Sequence, residues 1–223
     1  MSKFLILFNG PPGSGKDAIA EEFMKRYSDT NVCKFADPIR NTVFATFPHV
    51  NRQNYDERKN LPIGQSTEGE IDYPITKLFG TEITLRQWII RYAEEFMKPQ
   101  FGKDIFAKIT CENINATFLT HKYVLVTDLG SVEEIETIYK NFNENKIIII
   151  VVQVVRKDCN FHNDSRKYIT TDQLFNYTSK LNFIKLNNNG SILSACEKIE
   201  DFLKKFSPIE TPEQISAKIP EEK

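Results

Sequence analysis

Cysteine is scarce and scattered in this chain of 223 residues: Cys33, Cys111, Cys159 and Cys196 form neither a CxxC pair nor a metal-ligand spacing. That excludes a disulfide framework and points to free thiols in a reducing compartment. Cys159 and His162 alone make no zinc site, which takes four ligands. Neither sign of charge predominates. With 29 Lys and Arg against 30 Asp and Glu, the formal net charge is -1, so no overall basic field draws the molecule to nucleic acid. Long apolar runs are missing too. "KIIIIVVQVV" at 146–155 falls short of the roughly 20 residues that cross a bilayer and reads as a buried strand. The run at 4–8 meets Gly10, Pro11 and Pro12 instead of a cleavage site, so no secretory signal is expected. These absences predict a cytoplasmic protein, or one of the host cytoplasm if the chain is viral, with no membrane and no stable nucleic-acid partner.

What is present is an alternation of apolar runs and helix-start signals, in a chain whose 40% hydrophobic content suits one ordinary domain. Strands are predicted at 3–8, 32–35, 122–127, 146–155 and 182–186, and helices at 15–27, 38–47, 104–118, 172–180 and 191–206. Two further helix starts carry capping boxes, "TLRQ" from Thr84 and "SVEE" from Ser131. The order predicts an α/β three-layer sandwich around a central, mostly parallel five-stranded sheet. One domain is expected over 1–206. The period fails between His49 and Pro74, too long a gap for an ordinary connection, which suggests a functional segment. After Phe206, "SPIETPEQISAKIPEEK" has three prolines and few apolar residues, so 207–223 are expected to form a disordered tail.

The sharpest signal is "FLILFNGPPGSGKD" at 4–17, in which Gly10, Gly15 and Lys16 match GxxxxGK between a strand and a helix. Backbone N–H groups can converge on one concavity only where side chains do not block them, and glycine also tolerates positive φ. Gly10, Pro11, Gly13, Ser14, Gly15, Lys16, Asp17 and Ala18 are therefore the candidate phosphate cradle, with ATP as the expected ligand. The phosphates would sit at the N-terminus of the following helix. Lys16 adds a full positive charge for the β- and γ-phosphates. Asp17 stands where a serine or threonine is usual; a carboxylate can hold Mg²⁺ directly or through a water, or simply favour the start of a helix. "YVLVTD" ends a strand in Asp128, the pattern that sets an acid beside Mg²⁺ in P-loop proteins.

Cations outside the loop are the candidates for other phosphates. Arg40 follows the second strand in "FADPIR"; Arg86 and Arg91 share the "TLRQWIIR" helix; Arg156 follows the fourth strand, with Arg166 and Lys167 soon after. A guanidinium fork pairs two phosphate oxygens at once. Trp88 and Tyr92 are four apart, able to stack on a base or to serve as core.

These motifs, in this order, resemble the phage-type deoxynucleoside monophosphate kinases over most of the chain up to Phe206: the GSGKD loop, "KFADPIR", "ERK" at 57–59, "TLRQWIIR", "VTD" followed by "EEIE", and "IKLNNNGSI". The resemblance implies a nucleoside monophosphate kinase fold that transfers the ATP γ-phosphate to a deoxynucleoside monophosphate, with small-molecule nucleotides as partners and a homodimer permitted. It implies Lys16, Arg86 and Arg156 as catalytic residues, and Arg40, Arg86, Arg91, Trp88 and Arg166 as acceptor contacts. It further implies Asn187 and Gly190 near adenine, Asp17 and Asp128 toward Mg²⁺, an acceptor segment over about 37–120 and a lid over about 156–170. The family usually carries Arg, Pro and Glu after the third-strand aspartate, whereas Leu129, Gly130 and Ser131 follow here. A phosphomevalonate kinase group shares the GKD mark, so a kinase for another small phosphorylated acceptor, or a nucleotide-binding protein acting through partners, stays open.

Overall fold

The computed structural model describes residues 2–47, 50–63, 83–143, 146–162, 164, 166–177 and 181–206. Five strands, β1 (Lys3–Asn9), β2 (Thr30–Cys33), β3 (Tyr123–Leu129), β4 (Ile147–Val155) and β5 (Leu181–Asn187), form one sheet in the order β2-β3-β1-β4-β5. Every pairing is parallel, so the expected sheet is found without an antiparallel strand. The uninterrupted apolar runs of β1 and β4 follow from this: a parallel sheet covered on both faces buries both sides of each strand.

Phe4, Ile6 and Phe8 of β1 point to one face, where they pack with Ile19 and Phe23 of helix α1 (Lys16–Arg26) and with Cys196, Ile199 and Leu203 of the helix Ile192–Leu203. Leu5 and Leu7, equally buried, alternate to the other face. The helix Val132–Phe142 buries Ile135, Ile138 and Phe142, and Phe142 meets Phe118 edge to face. Its start carries the expected capping box, Ser131 with Glu134.

The chain divides into two compact units, one holding the sheet, built from residues up to Phe35 and from Thr110 onward, and one formed by Ala36–Ile109. The second is helical: Asp37–Thr46, a short turn Tyr55–Arg58, and Leu85–Arg91 with its Thr84 capping box, which continues as a π-helix Tyr92–Met97 and a turn Lys98–Phe101. Val43, Phe47, Tyr55, Ile63, Ile83 and Leu85 form its core.

Two expectations are corrected. The second strand is Thr30–Cys33, earlier than 32–35, because the amide of Phe35 leaves the ladder to donate to Asp128 Oδ1 at 2.9 Å. The helix placed at 172–180 is a 3-10 helix, Asp172–Tyr177, with 178–180 outside the described residues. Within the aperiodic stretch 49–74, the described part includes the helical turn Tyr55–Arg58. His49, residues 64–74 and the tail 207–223 lie outside the described residues. Among the described residues, no helix is long and apolar enough to cross a membrane.

Candidate active site

The loop from Gly10 to Gly15 leaves the C-terminal end of the central strand and enters α1. Glycine is required at both ends of it. A Cβ on Gly10 would lie 2.6 Å from the Val154 carbonyl oxygen, and Gly15 holds φ at +93°, a conformation that side chains resist. Among the described residues no side chain caps α1 at Gly15, and first-turn amides of that kind suit an anion. Ser14 is fully buried, its amide donating to the Pro11 carbonyl at 3.2 Å, while Ala18 faces outward.

Lys16 folds back over this loop. Its ammonium donates to the carbonyls of Gly10 at 2.7 Å and Pro11 at 2.8 Å, and lies 3.4 Å from Ser14 Oγ. These acceptors are neutral. Burial, and next the nearby Arg166 guanidinium, pull its pKa from 10.5 down to about 8. Asp17, Asp164 and Asp128 act in the opposite direction on the same ammonium, so three carboxylates and the Arg166 guanidinium all bear on Lys16.

One extra residue on β3 creates that arrangement. Leu7 pairs with Val126 but Asn9 pairs with Leu129, a bulge that re-aims the two residues between. Thr127 Oγ1 donates to Asp17 Oδ1 at 2.8 Å, and Asp128 Oδ1 accepts from Phe35. Lys34 also reaches Asp17 Oδ1, at 2.7 Å. Partial desolvation opposes ionisation of Asp17, but the hydrogen bonds from Lys34 and Thr127 outweigh it and hold the carboxyl below its ordinary value.

Arg166 forms a two-point pair with Asp164, Nε to Oδ1 at 2.9 Å and Nη2 to Oδ2 at 2.6 Å. That pair raises its pKa, against burial. Its stem lies on Gly130, where a Cβ would approach Arg166 Cγ to 2.5 Å. The glycine after Asp128-Leu129 therefore makes room for a guanidinium that arrives from a distant segment. Asn9, fully buried at the end of β1, ties that segment down: it donates to the carbonyls of Leu129 and Lys167 at 3.1 and 3.0 Å and accepts from the Ile169 amide at 3.0 Å. Gln153 Nε2 donates to the Ile169 carbonyl at 3.0 Å.

On the other side of the loop, Arg156 is exposed and its Nη1 reaches the Gly13 carbonyl at 3.3 Å. Asn188, between the candidates Asn187 and Gly190, is buried, and its Nδ2 donates to the Ser14 carbonyl at 2.7 Å. Asn187 Oδ1 accepts from the Asn189 amide at 3.2 Å, and Gly190 is exposed with open space around it. Lys16, Asp17, Asp128, Arg156, Arg166 and Asn187–Gly190 thus all belong to the sheet-bearing unit.

The remaining candidates belong to the helical unit. Arg40 lies over the Tyr55 ring, 5.2 Å from its centroid, and 3.9 Å from Asp37. Arg86 and Arg91 are exposed. Trp88 stacks on Tyr92 with centroids 5.1 Å apart and rings 7° from parallel, and meets Phe47 edge to face. Sequence reasoning missed Asn9, Lys34, Thr127 and Asp164, and the bond from Asn188 to the loop. Only Asn9 carries a legible signal, a polar residue closing an otherwise apolar strand.

A parallel sheet whose central strand feeds a glycine loop, a lysine and an uncapped helix is the α/β fold of P-loop proteins. No known family's profile matches the chain, and no curated protein does. Among solved structures it is similar to the Mycobacterium tuberculosis APS kinase in complex with AMPPNP and APS, at 12% identity and TM-score 0.49, over 91% of this chain and 98% of that one. It is also similar to the Acinetobacter baumannii shikimate kinase in complex with shikimate, at 13% identity and TM-score 0.40, over 98% and 96%, and to a Sinorhizobium meliloti gluconokinase, at 8% identity and TM-score 0.35, over 92% and 97%.

Proposed function

We propose that the chain is an ATP-dependent phosphotransferase of the nucleoside monophosphate kinase type, with a deoxynucleoside monophosphate as acceptor. The observation that carries this reading is Lys16: a buried ammonium satisfied, among the described residues, by loop carbonyls and a hydroxyl, at the start of a helix whose N-cap glycine offers no side-chain cap. A phosphate anion is a stronger partner for that ammonium than a neutral carbonyl. The acceptor rests on the motif resemblance set out above.

In this reading the loop amides and Lys16 hold the β- and γ-phosphates, and Asn187 to Gly190 lie near adenine. Arg40 and Arg86 grip the acceptor phosphate, aided by Arg91 and Trp88, and Arg156 and Arg166 neutralise charge on the transferring group. An acceptor phosphate oxygen attacks the γ-phosphorus, the bond from that phosphorus to the β–γ bridging oxygen breaks, and ADP leaves with the bond pair. No side chain need remove a proton, because a phosphate monoester with second pKa near about 6 is already ionised at neutral pH. Positioning and charge neutralisation supply the rate.

Mg²⁺ fits this donor set as an ion that keeps several waters and takes one or two carboxylates. Among the described residues there is no cluster of three or more metal-binding side chains that would cage it. Asp128 and, through a water, Asp17 would hold it, and it would supply charge to the phosphates. The test is the purified full chain with ATP and Mg²⁺ against each deoxynucleoside monophosphate, its ribonucleotide counterpart and phosphomevalonate, reading ADP and phosphorylated product. A deoxynucleoside diphosphate is the expected product. Product from phosphomevalonate alone overturns the acceptor, and ATP binding with no product from any acceptor overturns the phosphotransferase.

A further inference from the structure

Aspartate after the P-loop lysine brings a negative charge next to the phosphates the loop would hold, and a cation already answers it. Lys34 Nζ and Thr127 Oγ1 converge on the same atom, Asp17 Oδ1, at 2.7 and 2.8 Å. Lys34 directly follows the last residue of β2, and the next amide, Phe35, is fixed on Asp128, so its backbone is pinned where its side chain departs. That side chain is 28% exposed. An ammonium has three N–H groups, and among the described residues Asp17 is its one hydrogen-bond partner. The other donors are free to meet an anion.

We propose that Lys34 is a second phosphate-binding lysine of this site, contacting the terminal phosphate of bound ATP, and that Asp17 is the residue that positions it. This rests on the phosphotransferase reading above and extends it. The carboxylate and ammonium cancel each other's charge toward bulk water, yet the ammonium is held in one place, which a flexible lysine alone would not be. A serine or threonine hydroxyl at position 17 would hold a lysine less firmly than an ionised carboxylate. The departure at Asp17 and the lysine at the end of β2 are then two halves of one device.

Calorimetry of the full chain with AMPPNP and with ADP, each with Mg²⁺ and again in EDTA, tests this. Lys34→Ala should weaken AMPPNP by about ten- to a hundredfold, the span of one charge-assisted hydrogen bond, and leave ADP within about twofold. Lys34→Arg should recover most of the loss. Asp17→Asn should give the same selective loss in EDTA, and the double variant Asp17→Asn with Lys34→Ala should be no worse than the weaker single variant. If the wild type binds AMPPNP but Lys34→Ala weakens both nucleotides alike or neither, Lys34 does not contact the terminal phosphate. A loss for Asp17→Asn seen only with Mg²⁺, or additive in the double variant, confines Asp17 to the metal and removes it from positioning Lys34. A wild type that binds neither nucleotide overturns the parent reading.

Discussion

Asn188 and Ser14 lie 174 positions apart, yet the Asn188 amide donates to the Ser14 carbonyl at 2.7 Å and closes the phosphate loop from behind. The backbone of Asn188 is itself anchored, its N–H donating to the Val155 carbonyl at 2.8 Å. The turn after β5 therefore braces the loop after β1 across the intervening end of β4. Gly15 sits directly against this brace, where a Cβ would come within 2.4 Å of Asn188 Nδ2.

Gly15→Ala should cost stability twice over, through strain at φ +93° and through displacement of Asn188. The expected loss is about 1–3 kcal/mol in urea unfolding, with weaker ATP binding. Adding Asn188→Ser shortens the opposing side chain and should recover part of the stability but not all, because the backbone strain stays. Full recovery in the double variant would show that the collision alone sets the cost.

Lys16→Ala should keep the fold and cut phosphoryl transfer by about 10²–10³-fold, the scale set by losing one preorganised charged donor at a developing anion. The buried Gly10 and Pro11 carbonyls lose the ammonium that now donates to them, so about 1–3 kcal/mol of stability should go with it. A coupled ADP assay reads the loss, and a rate within a few-fold of wild type would remove Lys16 from the transfer step.

The sheet was legible because both faces of β1 and β4 are covered, which leaves unbroken apolar runs that no other element explains. The loop was legible because its glycines answer a local need, visible in a few consecutive residues. The rest of the site was hidden for a common reason: it is assembled from the ends of different strands. Lys34 reads as an ordinary strand-end cation until β2 is seen to exit beside α1. Arg166 is a candidate by its charge, but its partner Asp164 reads as an ordinary loop residue until Gly130 is seen to receive the arginine stem. Trp88 could face a base or the core by spacing alone, and its contacts with Tyr92 and Phe47 are a matter of packing that helical period does not show. The 3-10 helix at Asp172–Tyr177 was missed because its residues suit either helix.

Asn9 should prove one of the most sensitive polar positions in the sheet. Asn9→Leu is similar in size but leaves the Leu129 and Lys167 carbonyls without their donor and the Ile169 amide without its acceptor. About 2–4 kcal/mol of stability should be lost, since unpaired buried groups cost about 1–3 kcal/mol each and some regain water. Hydrogen exchange separates a local from a general effect. The Ile169 amide should exchange much faster while β4 amides change only in step with global stability, and protection retained at Ile169 would show that Asn9 does not hold this segment.

ATP binding should weaken as pH rises through about 8, the value to which burial and Arg166 bring Lys16. Below that pH the ammonium is present before the nucleotide arrives, and binding takes up no proton at this site. Above it, the free protein holds a neutral amine that must be protonated to meet phosphate, so the Kd should climb toward tenfold per pH unit. Calorimetry in two buffers of different ionisation enthalpy should find close to one proton taken up at about pH 9 and close to none at about pH 7. Stability of the nucleotide-free chain should move the other way. Between about 8 and 10.5 the unfolded chain keeps this proton while the folded chain has released it, so the unfolded state binds more protons and this residue makes the unfolding free energy rise with pH. Lys16→Arg stays charged throughout and should flatten both trends. A wild-type Kd constant from about pH 7 to 9.5 would show that Lys16 keeps its proton despite its burial, and that the loop carbonyls hold the ammonium more firmly than its surroundings suggest.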